Sequence, residues 1–167
     1  MCIRDRIKSL RSEDVENQNL DFLEALILDY EDKREEATEI YKNLIKKLEE
    51  DDDGILAFPE ELYFYYINEI FNTDEEGDVL ELAQKGLKYS PKHQGLLYYK
   101  GIELSIREQY NDAKETFEYI EQLYPDNGYS DRKIGDIYND QDLYEKALEY
   151  YNKQIENCLL YTSDAAD

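Results

Sequence analysis

Apolar side chains recur along this chain at intervals of three and four, separated by charged and amide residues, in eight successive stretches. The stretch 94–107 carries Leu97, Gly101 and Leu104 on one helical face, and 110–124 carries Ala113, Phe117 and Ile120 on the face that turns back towards it. That pattern predicts two antiparallel helices joined by a short turn. Gly101 and Ala113 are small where the two must approach closely, and a larger side chain at either would push them apart. Pro125 ends the second helix and sets the turn into whatever follows. Read the same way, the remaining stretches predict eight helices, the last over 143–157, and no strand.

The stretches are not independent. Pro91 repeats as Pro125, Gly101 as Gly135, Leu104 as Tyr138, Tyr110 as Tyr144, Ala113 as Ala147 and Phe117 as Tyr151, always 34 residues on. A fixed period of this length predicts a stack of helix pairs in which each pair buries its apolar face only against its neighbours. The expected fold class is therefore all-α, an α-solenoid of about four helix-turn-helix repeats.

These residues resemble the tetratricopeptide repeat, a helix-turn-helix unit of 34 residues. Its pattern of a small residue and an aromatic in the first helix, then Tyr, Ala, aromatic and Pro in the second, appears here as Gly101, Leu104, Tyr110, Ala113, Phe117 and Pro125, and the resemblance implies a right-handed superhelical α-solenoid. Gly135, Tyr138, Tyr144, Ala147 and Tyr151 meet the pattern again. The resemblance divides the chain into a lead-in at 7–17 and units at 18–51, 60–93, 94–127 and 128–157, with an inserted loop at 52–59. In the first unit Ala25, Leu28, Ala37, Tyr41 and Leu44 fit. In the second the equivalent positions hold Ile67, Ile70, Val79 and Ala83, which implies helices packed at an altered distance.

What the resemblance implies about function is a concave groove lined by the first helix of each pair, where an extended peptide or a helix binds. Its positions fall on Phe22 and Leu26, on Phe64, Asn68 and Phe71, on Tyr98 and Ile102, and on Tyr129, Arg132, Asp136 and Asn139. An aromatic lining with a few polar anchors suits a peptide with apolar side chains. One subclass of such repeats grips the C-terminal carboxylate of chaperones through Lys, Asn and Arg. Asn68 and Arg132 are compatible with it, but Phe22, Leu26, Tyr98 and Ile102 stand where further cations are needed, so that subclass is rejected. The expected function is a protein–protein interaction scaffold for a protein or peptide of unassigned identity. The alternative is a regulatory or sensing module of a larger protein such as a kinase, transcription regulator or secretion component.

Composition narrows the partner. Asp and Glu number 41 against 19 Lys and Arg, a formal charge of −22. Such a field repels phosphate backbones and anionic lipid, so nucleic acid is excluded as a partner, and no apolar run suits membrane insertion. The 17 tyrosines belong equally to helix-pair cores and to recognition grooves. The lone histidine, His93, follows Pro91 in a connector without a nucleophile motif, and the glycines are dispersed. No catalytic residue, metal or cofactor is therefore expected.

Glu49, Asp51, Asp53, Gly54, Leu56 and Glu60 fall at the spacing of a calcium loop. Glu49 replaces the usual Asp and Pro59 interrupts the exit, so an acidic linker is the expectation. Residues 1–6 and 158–167 resemble a translated sequencing adapter read on opposite strands, and both cysteines, Cys2 and Cys158, lie there. On that reading Met1 is not the native start, and the compartment is unassigned, with cytoplasm as the default. A last helix without a successor is expected to leave Leu148, Tyr151 and Ile155 partly uncovered and to favour self-association.

Overall fold

A computed structural model of the chain describes residues 9, 17–50, 56–72, 77–125 and 129–164, with side chains omitted at 72 and 158–164. The described residues form eight helices: α1 (Gln18–Tyr30), α2 (Arg34–Glu50), α3 (Pro59–Asn72), α4 (Val79–Tyr89), α5 (Gln94–Ile106), α6 (Tyr110–Leu123), α7 (Ser130–Asp140) and α8 (Tyr144–Asp164). Their number and order are those that the spacing of apolar positions predicts, in an all-α superhelical array, but the last helix runs on to Asp164 where the spacing ended it at 157.

Local chemistry accounts for the helix starts. The Asn17 side chain accepts the Asn19 N–H at 2.9 Å, and Asp78 accepts that of Glu81 at 3.0 Å. Pro59 is the first residue of α3, where its missing N–H costs nothing. His93 caps α5, its Nδ1 accepting the Leu96 N–H at 3.1 Å. That bond leaves the ring proton on Nε2, 3.3 Å from Glu61 Oε1. The one histidine is thus a structural cap.

Three of the four turns inside the pairs share one geometry. Asp32, Glu108 and Asp142 have φ of 60°, 58° and 59°. The next N–H in each case (Lys33, Gln109, Leu143) reaches back to the carbonyl of Leu28, Leu104 or Tyr138 at 2.9 Å. This is the Schellman closure of a helix end, made here without glycine.

Each helix packs on the one before and the one after it, and α3 also touches α5. Nearest-neighbour packing of this kind is what defines a repeat array. Two clusters form the core, one from Phe22 to Tyr99 and one from Leu97 to Ile137, and Leu87 packs against both. Ala25, Ala37, Ala83 and Ala113 have no exposed surface. At Gly101 an added Cβ would lie 2.7 Å from Phe117 Cζ, and at Gly135 it would lie 2.5 Å from Tyr151 Cε1, so both glycines are seats for an aromatic ring of the paired helix.

The second pair departs from the others. Its second helix, α4, has 11 residues where α6 has 14, and it opens at Val79. Ile67 does replace the small residue of the first helix, but the second helix retains one in Ala83, and Gly86 admits the Tyr63 and Leu96 side chains. Residues 51–55, which hold Asp51, Asp53 and Gly54 of the calcium-like loop, and residues 1–6 lie outside the described residues. Glu49 sits on α2 and accepts a bond from Lys85 Nζ at 2.9 Å, while Glu60 lies in the first turn of α3. Among the described residues no group of three or more His, Cys, Asp or Glu is placed to hold a metal ion. No helix among them is long and apolar enough to cross a membrane.

Candidate functional site

The first helices of the pairs (α1, α3, α5 and α7) carry a continuous line of rings along the array. Phe22 meets Tyr65 at 6.1 Å between centroids, Tyr65 meets Phe64 at 5.4 Å, and Phe64 meets Tyr99 at 6.0 Å. Tyr99 meets Tyr98 at 5.9 Å, and Tyr98 meets Tyr129, just ahead of α7, at 5.0 Å and close to perpendicular. Phe71 joins from the end of α3, 5.3 Å from Tyr99. Most of these contacts are edge-to-face, an arrangement that aromatic rings favour, while those of Tyr99 with Phe64 and Phe71 are tilted.

Exposure differs along the line. Phe22 is only 7% exposed and also meets Tyr41 at 6.1 Å, so its ring belongs to the core of the first pair, and Leu26 packs against the same cluster. Phe64, Tyr65, Tyr98, Ile102 and Tyr129 are half-buried. Phe71 is 40% exposed and Ile106, one turn beyond Ile102, is 63% exposed. The accessible apolar surface is therefore centred on α3 and α5.

The polar residues of the expected groove are partly engaged within the fold. Asn68 Oδ1 accepts the Tyr99 hydroxyl at 2.7 Å, and burial raises that hydroxyl's pKa. Asp136 accepts the Tyr151 hydroxyl at 3.0 Å and lies 3.5 Å from Lys133 Nζ. Lys133 Nζ also stands 6.0 Å above the Tyr98 ring. Arg132 and Asn139 are exposed, and they do not join the line of rings.

Glu69 is 2% exposed between α1 and α3. Burial raises its pKa above the ordinary carboxylate value, and the charge of Asp29 and a hydrogen bond with it raise it further, against smaller opposing effects of Arg34 and Asn68.

Sequence reasoning missed Tyr65 and Tyr99. Each directly follows a residue assigned to the groove, Phe64 or Tyr98, and projects between the core stripe and the groove stripe. Two adjacent aromatics on a helix span about 100° of its face, and that was the available signal.

No protein-family model matches the chain, and no curated protein sequence matches it. Solved structures do. A crystal structure of MamA superposes with a TM-score of 0.76 at 16% identity, covering 94% of this chain and 87% of that one. MamA from Desulfovibrio magneticus RS-1, from residue 41 to its end, gives 0.71 at 12% identity, covering 90% and 81%. YrrB, described as a TPR protein with an unusual peptide-binding site, gives 0.69 at 14% identity, covering 83% and 67%. At these identities the likeness concerns the fold, and the fold of this chain is that of the tetratricopeptide-repeat solenoids.

Proposed function

We propose that the chain is a non-catalytic protein-interaction scaffold that holds a peptide or helical segment of a partner against the aromatic line on its first helices. The observation that carries this reading is the unbroken run of ring contacts from Phe64 through Tyr99 and Tyr98 to Tyr129, with Phe71 and Ile106 open to solvent beside it. Rigid, half-exposed aromatics present large contact area at low entropic cost, which is why they recur at the centre of binding sites. The bound segment would place apolar side chains against Phe71, Ile102 and Tyr98, with Arg132 and Asn139 available at the α7 end. The fold shared with YrrB supports a peptide as the kind of partner.

The test is selection of peptides from a random display library on the immobilised chain, followed by affinity measurement on single substitutions. Phe71→Ala and Ile102→Ala are expected to weaken the selected peptides by roughly tenfold or more each, the scale of one buried apolar anchor. Glu35→Ala, on the exposed side of α2, should leave affinity unchanged. Peptides indifferent to Phe71 and Ile102 would remove the concave reading.

A further inference from the structure

One cleft among the described residues lies away from the aromatic line. It opens between α4 and α6, with α5 as its floor, and has a volume of about 950 Å³. α4 makes its contacts with α3 and α5, and α6 makes its own with α5 and α7. The two second helices therefore stand apart over α5, and a strip of leucines lines the space between them. Leu80 and Leu87 stand one above the other on α4, seven residues apart, while Leu97 and Leu104 have the same relation on α5.

The rim is charged on one side. Asp112, Glu115 and Glu118 follow one face of α6 along the cleft, against Lys100 as the sole cation of the lining. Glu118 is within 3.9 Å of Lys114, but Asp112 and Glu115 make no ion pair among the described residues. An apolar floor two leucines deep, flanked by uncompensated carboxylates along a helix, is complementary to a helix with an apolar stripe and cationic flanks.

We propose that this cleft is a second docking surface, separate from the aromatic line, and that its occupant is a basic amphipathic helix of a partner protein. A helix lying there would complete a four-helix layer with α4, α5 and α6. It would seat leucine-like side chains at i, i+4 and i+7 between Leu80, Leu87 and Tyr119 and set lysines or arginines against Asp112 and Glu115. This inference is independent of the concave reading, because none of its residues lies on the aromatic line.

The test uses the whole chain and a labelled synthetic peptide of about 14 residues, roughly 21 Å as a helix, with leucines at i, i+4 and i+7 and lysines on both flanks. Two controls accompany it: a scramble of the same composition, whose leucines share no face, and a version with glutamate for lysine. By fluorescence anisotropy the first peptide is expected to bind at least tenfold more tightly than either control. Gln84→Trp, which fills the cleft from an exposed position on α4, should weaken it by a similar factor. So should neutralisation by Asp112→Asn with Glu115→Gln, while Phe71→Ala should have no effect. Equal binding of the scramble would mean that only the overall negative charge is at work, and would overturn the proposal. So would loss of binding through Phe71→Ala with Gln84→Trp unaffected. A peptide that acts only by dissociating a dimer of the chain would make a second copy the occupant, and would also overturn it.

Discussion

At the level of single residues, one carboxyl of the first two pairs is buried. Glu69 lies between α1 and α3 beside Asp29, and its pKa is raised by burial first and by Asp29 second, from an ordinary value of 4.5. The folded state thus favours the protonated form. Its contribution to stability is complete below pH 4.5 and is lost as pH rises through the raised pKa, where a charge must be held in the core. Glu69→Gln removes the charge and keeps a neutral group of similar size. Urea denaturation at pH 5 and pH 8 should show the variant gaining on the parent chain as pH rises, by about 1 kcal/mol or more at the upper end. A difference independent of pH would refute the assignment. The sequence offered no hint of this pair, since 41 acids look alike until burial separates one of them. Gly101 and Gly135 were legible for the opposite reason: they repeat, and a small residue has one use on a helix face that meets Phe117 or Tyr151.

At the level of elements, the chain was most readable where successive pairs keep one spacing. In the last two pairs the left-handed turn residue moves from Glu108 to Asp142 and the start of the second helix from Tyr110 to Tyr144, each by the interval that separates Gly101 from Gly135. The second pair does not keep it throughout. α4 opens at Val79, later in its repeat than α6 opens at Tyr110, yet it ends at Tyr89 in register with Leu123, so Pro91 stays in register with Pro125. A spacing argument follows the shared helix end and is blind to the late start. The regular turns carry a cost of their own, because Asp32, Glu108 and Asp142 occupy the left-handed region without being glycine. Asp32 and Asp142 recover some of it, through an ion pair with Arg34 at 3.2 Å and a bond from the Tyr144 hydroxyl at 2.6 Å. Glu108 has the less tolerant side chain and no such bond among the described residues. Glu108→Gly is therefore expected to raise stability by roughly 0.5–1 kcal/mol, with Asp142→Gly gaining less or nothing. Thermal melts of the two variants check the order, and a Glu108→Gly variant less stable than the parent would contradict it.

At the scale of the whole molecule, each helix pair is stabilised by its neighbours, so a helix face without one is a docking site or a liability. On α8 the described side chains Tyr144, Leu148 and Ile155 are 58%, 59% and 56% exposed and recur at helical spacing along one face. Tyr151, expected to share that face, instead turns inward over Gly135 and bonds to Asp136, so the stripe is narrower than the sequence implied. Against association stands the formal charge of −22, a repulsion that reaches about 30 Å at 0.01 M salt but only about 8 Å at 0.15 M. The two effects make opposite demands on ionic strength, and that separates them. Sedimentation velocity is expected to find monomer at low salt and a growing dimer fraction as salt rises, because screening removes the repulsion and leaves the apolar attraction intact. Leu148→Lys with Ile155→Lys should abolish the dimer at every salt concentration, and the Gln84→Trp variant should not. A parent chain that stays monomeric in high salt would mean that the α8 stripe is too narrow to hold a second copy.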